Sequence, residues 1–389
     1  MSETKRKLDN LVDSTEKIVL RIARSRIKTA ASEIEVETAE KARNNCLIKS
    51  LKENESLGAY VVRTVKTFEP KTPVDFYIYW LAKNSIVDIS KIELFCEPAK
   101  EKLKNYQCAS SNEVNSETKF KNLNRLKFES AKDLSKSLEI IENFKTTNSM
   151  ERRIKKIYFH IKRNFTKDMV NFYSESDFLQ KFWSPVFEAF FAETVFITHW
   201  GDTKSWSCKK EEADMKLDFR LVLGPSKVQF DTSTGEFARQ PTPRKLYKDR
   251  LKSTIAAKAT INDILKNSSL TIDDLHSLKI PIIQVMGFEC EVFVVALVEP
   301  KLYTIEKVHV MNFPVTNKNL RNNGIEAIIQ GLAFVEELSL SIQEILDENK
   351  IFKVTNKMEA ISSKTKPKTV LKKEWTTKVK WFSNKDFEE

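Results

Sequence analysis

The stretch Met215 to Arg239, MKLDFRLVLGPSKVQFDTSTGEFAR, constrains the fold of this chain more than any other. Side chains alternate along a strand, so Lys216, Asp218 and Arg220 share one face while Leu217, Phe219 and Leu221 share the other. Gly224-Pro225 reads as a turn. Val228 to Ala238 reads as a further strand, interrupted by an Asp231-Thr-Ser-Thr-Gly235 turn, with Glu236 and Ala238 on one face. Two neighbouring strands therefore each present a carboxylate, Asp218 and Glu236.

The flanking segments supply the layers that such strands need. Ser176 to Glu193 repeats apolar pairs every four residues, a broad stripe that predicts a helix packed hard against a sheet, kinked or restarted at Pro185. Thr194 to Trp200 is a short β-branched and aromatic run. Arg244 to Lys266 is predicted helical, with Tyr247, Leu251, Ile255 and Ala259 on its buried side and Lys248 and Lys252 one turn apart on the flank. Ile280 to Phe313 supplies two or three strands broken at Gly287 and Pro300, and Asn319 to Asn349 a closing helix, with a possible break at Gly331. The fold class is α+β (α/β), a helical N-terminal region followed by a mixed-sheet αβββαβ core.

Around this core the chain divides into 1–150, helical; 151–350, the core domain; and 351–389, a basic tail read as flexible. Thr4 to Glu53 lacks Gly and Pro and predicts a long helix, a candidate for self-association into a homo-oligomer, although its heptads are not clean. Val74 to Ala82, VDFYIYWLA, demands burial. Ala109 to Lys121 reads as an exposed loop, and Leu126 to Phe144 as an amphipathic helix. In the tail, Trp375, Trp381 and Phe382 alternate with lysines, which suits either a basic arm that stacks on bases or a strand that docks on the fold.

Charge narrows the partners. The 389 residues carry 65 Lys and Arg against 54 Asp and Glu, a net +11, which favours DNA or RNA. Met150 to Phe165 interleaves Arg152, Arg153, Lys155, Lys156, Lys162 and Arg163 with apolar residues, a basic rim suited to phosphate, to which Lys245 adds; an ordinary surface helix with snorkelling stems fits equally well. The seven glycines are too dispersed for a phosphate-cradling loop, which argues against P-loop NTPases, Rossmann enzymes and protein kinases. Five scattered cysteines form no disulfide framework or zinc knuckle, so reduced thiols in a nuclear or cytoplasmic protein are expected. No apolar run is long enough for a bilayer, so no membrane partner is expected.

The element order and the acids on strands two and three resemble the PD-(D/E)XK nuclease-like superfamily, with its restriction-endonuclease-like core, over roughly Ser176 to Val298. The resemblance implies a Mg²⁺ (or Mn²⁺) ion held by Asp218 and Glu236, and cleavage of DNA or RNA phosphodiesters. It also implies a helix-borne glutamate, Glu188 first and Glu193 in reserve. The motif lysine falls at Ala238, so a lysine from the following helix, Lys248 or Lys252, is the expected substitute; without one the fold would persist as a non-catalytic nucleic-acid-binding or protein-interaction scaffold. The blocks Phe182 to Pro185 and His199 to Thr203 also resemble those of a fungal-type protein family, which implies no activity.

Other chemistries have less behind them. Zinc from His160, His199 and Cys208 would need ligands from distant segments with no supporting motif, and a Cys208–His199 hydrolase lacks an orienting acid. His276 and His309 read as structural or solvent-facing.

Overall fold

The computed structural model describes residues 49–106, 134–164, 173–224, 230–268, 270–363 and 375–382. Of the long helix expected over Thr4 to Glu53 only the last five residues are described, and these are not helical; the rest, with the Ala109 to Lys121 loop, lies outside the described residues.

A seven-stranded mixed sheet organises the described chain. Its order is β1-β7-β6-β5-β4-β3-β2, with β1 Ile86–Asp88, β2 Phe196–Thr203, β3 Leu217–Leu223, β4 Asp231–Ala238, β5 Lys279–Met286, β6 Glu289–Glu299 and β7 Leu302–Asn312. The β1–β7 and β4–β5 pairs are parallel and the others antiparallel. The helices are α1 Leu57–Val65, α2 Pro73–Lys83, α3 Glu97–Lys104, α4 Leu134–Asn143 and α5 Ser149–Asn164, then α6, built of Glu175–Phe178, a π-helical turn Leu179–Trp183 and Ser184–Phe191. They continue with α7 Trp206–Lys210, α8 Pro243–Asn267, α9 Ile272–Ser277, α10 Asn317–Arg321 and α11 Gly324–Ser363. From α6 to β5 the order is helix, strand, short helix, two strands, long helix, short helix, strand, so α7 and α9 interrupt the expected αβββαβ sequence of elements. The parallel β4–β5 pair needs the long crossover that α8 provides.

The two faces of the sheet are covered differently. On one, Phe187 of α6 meets Trp200, Phe219 and Phe237 edge to face, with centroids 5.9, 5.2 and 6.1 Å away. On the other lies α8, whose Leu251, Ile255 and Ala259 are fully buried, as the four-residue spacing predicts. The described residues form one compact unit, because β1 joins the sheet beside β7 and α2 packs on α8; the expected boundary at 150 falls inside that unit.

Pro185 has the predicted local effect. It has no N–H to offer the Lys181 carbonyl four residues back, the helix widens into the π turn, and His160 Nε2 donates to that carbonyl at 3.0 Å instead. Gly331 does not break α11. A Cβ there would lie 2.7 Å from both His309 Cδ2 and Met311 Sδ, so glycine is what lets this helix lie directly on β7.

Two expectations are corrected. Asp231 to Gly235 is not a turn: all of β4 is buried strand, and Asp231 pairs with Arg220 at 3.0 Å, so a tertiary partner overrides turn-forming composition. Residues 351–389 are not uniformly a flexible tail. Helix α11 runs on to Ser363, and 375–382 is docked with Val379 and Phe382 buried.

Candidate active site

Asp218 and Glu236 are brought together as their alternation implies. Phe219 pairs with Gly235 across β3 and β4, which sets Asp218 beside Glu236, and the Phe237 N–H donates to Asp218 Oδ2 at 2.9 Å. Both face α8. From that helix Lys252 donates from Nζ to Glu236 Oε2 at 2.6 Å, so a lysine of the following helix does reach one of the two acids. Ala238 is buried.

Two acids that sequence reasoning missed complete the cluster. Asp249, one turn before Lys252 on α8, is buried and 3.7 Å from Lys245 Nζ. Glu175 opens α6, where a Ser174–Asp177 capping box fixes the first turn, and it meets Lys245 Nζ at 3.1 Å. The signal for Asp249 was available, since Lys245, Asp249 and Lys252 recur at three- and four-residue steps on one helix face. Glu175 lies one residue before the Ser176 to Glu193 helix that the apolar pairs predict.

Four carboxylates therefore face two lysines, with Glu236 and Asp249 buried, Asp218 and Lys245 half-buried and Glu175 exposed. Burial raises the Asp218 pKa, against the Phe237 N–H and the Lys252 charge that lower it. Burial also raises Glu236, well above the carboxylate range, with the Asp218 charge adding to the effect and Lys252 opposing it. Asp249 is pushed up to about 6, mainly by burial. Burial works to lower Lys252, but Glu236, Asp218 and Asp249 outweigh it and raise its pKa. Lys245 is raised in the same way by Asp249 and Glu175 against burial.

A cleft of about 500 Å³ adjoins the cluster, with Asp202 and Asp214 in its lining and Asp218 and Glu236 outside it. Arg244, Lys245, Lys248 and Lys216 line it together with Asp249 and Lys252, and Trp381 and Phe382 form part of its wall. Lys248 lies in the cleft as expected but makes no hydrogen bond or ion pair among the described residues, so Lys252 is the lysine that engages an acid. The α8 N-terminus lies at the cleft, capped by Thr242 with Pro243 in the first turn. Arg244 and Lys245 there run against the preference of that helix end for acids, which costs a few tenths of a kcal/mol and adds to an anion-attracting field.

Other expected site residues fall elsewhere. Glu188 is on the opposite face of the sheet, accepting from Thr198 Oγ1 at 2.6 Å and from Trp200 Nε1, because the α6 stripe turns it toward β2. Glu193 pairs with Arg152 at 2.7 Å and Lys156 at 3.6 Å. The basic rim of α5 is smaller than its sequence suggests. Arg153 is buried, bonded to Glu336 and to the Phe190 carbonyl; Lys162 is buried, its pKa lowered by desolvation; Lys155 donates to the Glu142 and Phe144 carbonyls. Of the six, Arg152, Lys156 and Arg163 remain exposed. Cys208 is fully buried and its thiol is raised to about 12, which removes it as a nucleophile. His276 is exposed and His309 bonds the Ala327 carbonyl, as expected.

The residues fit a hard divalent cation in one specific respect. Glu236 Oε1 and Asp249 Oδ2 are buried without a hydrogen-bond partner, which leaves oxygen lone pairs unsatisfied on the cluster. Among the described residues no group of three or more His, Cys, Asp or Glu side chains is placed to hold a metal ion, so a cation here would rest on the Asp218–Glu236 pair and water. No helix among the described residues is long and apolar enough to cross a membrane. Compared with family models, curated proteins and solved structures, the chain matches none.

Proposed function

We propose that this chain is a metal-dependent, nuclease-like protein that hydrolyses DNA or RNA phosphodiesters at the Asp218–Glu236 pair. The observation that carries the reading is the Lys252–Glu236 contact of 2.6 Å beside Asp218, where Lys252 also lines a cleft that holds Lys216, Arg244, Lys245 and Lys248 along with Asp202, Asp214 and Asp249. An αβββαβ order with two acids on adjacent strands and a lysine within reach is the arrangement that PD-(D/E)XK-like chemistry needs, with the lysine moved to α8.

Each residue has a task in this reading. Asp218 and Glu236 would hold Mg²⁺ or Mn²⁺, which when bound lowers the pKa of water and offsets charge on the phosphoryl oxygens. Asp218 is oriented by the Phe237 N–H, which fixes one carboxylate oxygen and leaves the other for a ligand. Lys252 remains protonated among its acids and supports the charge that develops on the phosphate. Lys245 and Lys248, near the α8 N-terminus, attract and position the flanking phosphates.

The second reading, a non-catalytic nucleic-acid-binding or protein-interaction scaffold with the same fold, also has an observation in its favour. Lys252 already satisfies Glu236 Oε2, so the ion pair can stand without a metal. A titration of Mg²⁺ and Mn²⁺ against plasmid and RNA substrates separates the two. Cleavage that Asp218→Ala with Glu236→Ala abolishes while binding persists supports hydrolysis, and metal-independent binding without cleavage supports the scaffold.

A further inference from the structure

The segment 375–382 lies outside the αβββαβ core, yet it supplies a wall of the cleft. Its backbone is held by core side chains. Lys258, fully buried on α8, donates from Nζ to the Asn84 carbonyl at 2.8 Å and to the Lys378 carbonyl at 3.1 Å. Asn262 Nδ2 donates to the Thr377 carbonyl at 2.9 Å. Asn84 grips Lys380 on both sides, accepting its N–H on Oδ1 at 2.8 Å and donating from Nδ2 to its carbonyl at 2.9 Å.

This clamp fixes an aromatic ring at the cleft. Phe382 is 1% exposed and packs on Trp80, with centroids 6.1 Å apart. Trp381 rests against Phe382, centroids 4.1 Å apart and planes inclined at 36°, and is itself half-buried in the cleft wall. Arg244, Lys245 and Lys248 line the same cleft. Cations that follow a phosphate backbone, combined with a pre-positioned aromatic face, are the two requirements for binding an unpaired strand. A duplex keeps its base faces inside its own stack and offers the indole nothing to lie on.

We infer that Trp381 is a stacking platform for an unpaired nucleobase, so that the nucleic acid taken by the cleft is single-stranded next to the scissile phosphate. This rests on the reading of the cleft as a nucleic-acid site and names its substrate class. The clamp by Lys258, Asn262 and Asn84 is what spares the ring the ordering cost on binding.

The test uses the full-length chain with EDTA present, so that binding is read apart from cleavage. Three labelled probes are compared by fluorescence anisotropy: an oligothymidylate of roughly 12 nucleotides, the same strand with its central nucleotides made abasic, and a duplex of equal length. The wild-type chain is expected to bind the oligothymidylate about 10-fold or more tighter than the abasic strand. Trp381→Ala should erase that difference and Trp381→Tyr should preserve most of it. Equal affinity for all three probes, binding to none of them, or tighter binding by Trp381→Ala would overturn the inference, the last by showing the indole to be a plug. The abasic comparison needs no variant, so it stands even if Trp381→Ala misfolds. An absence of metal-dependent cleavage would sink the hydrolytic reading and leave this result intact.

Discussion

Lys252 Nζ lies 2.6 Å from Glu236 Oε2, and this contact joins helix α8 to strand β4 at a point where neither charge would be tolerated alone. The glutamate side chain is 3% exposed and the lysine side chain 19%, so each is the main compensation for the other's desolvation.

Removing one partner should therefore expose the cost. Lys252→Met is expected to destabilise the fold by about 1–3 kcal/mol near pH 7.5, because Glu236, its pKa already raised, takes up a proton once its cation is gone. Adding Glu236→Gln to the same chain should recover most of that loss. Urea unfolding of the two variants checks both. A single-variant loss under about 1 kcal/mol would mean that Glu236 is not held charged by this lysine.

Asp249 sets a pH dependence whose sign follows from its raised pKa. The native state holds this proton from its ordinary 3.8 up to about 6, more tightly than the unfolded chain does. The resulting stabilisation is complete below pH 3.8 and is lost as pH rises through 6. Asp249→Asn removes that penalty. The variant should match the parent near pH 3.5 and exceed it by about 1–3 kcal/mol at pH 8, a difference that thermal melts across that range resolve.

Four acids against two lysines leave the cluster short of positive charge. A divalent cation should raise the melting temperature, by the equivalent of about 2.7 kcal/mol at a hundredfold excess over Kd. The shift should grow from pH 5 to pH 8, because the raised Asp218 and Glu236 must lose protons before they ligate. Asp218→Asn should abolish it. Calcium serves as the probe where cleavage would interfere.

The docked segment makes its own prediction. Ending the chain before residue 375 exposes the sites of Val379 and Phe382 and should cost roughly 3–6 kcal/mol from apolar burial alone. It also leaves Lys258, Asn262 and Asn84 without their backbone partners. Burial lowers Lys258 from 10.5 to about 7, so the parent should gain stability as pH rises between those values, and Lys258→Met should flatten that slope.

What could be foreseen followed from periodicity. Alternation placed Asp218 and Glu236 on one face, and helical spacing put Lys252 within reach of them. What escaped was decided by tertiary partners. Asp231 to Gly235 has the composition of a turn, but Arg220 and the central place of β4 hold it as strand. Arg153 and Lys162 look like rim cations in a helix whose basic and apolar residues alternate, yet Arg153 is drawn inside by Glu336 and Lys162 by burial of its stem. Glu188, the helix-borne glutamate that the resemblance implies, sits mid-helix in a strong apolar stripe. That stripe faces the side of the sheet away from the acids, and only the first turn of α6 comes near Lys245. The tail's Trp381 and Phe382 alternate with lysines, a pattern that suits a basic arm and a docked segment alike, and the clamps from Lys258, Asn262 and Asn84 decide for docking.

The central claim is that Asp218 and Glu236 act together on a phosphodiester with a divalent ion. Its most direct measurement is strand cleavage of a single-stranded substrate in Mn²⁺ and in EDTA, by the wild-type chain and by the Asp218→Ala, Glu236→Ala double variant at matched folding. The account predicts scission by the wild-type chain in Mn²⁺ alone and none by the variant, with both still binding the strand. Equal scission by the two chains, or none by either at saturating metal and substrate, would contradict it.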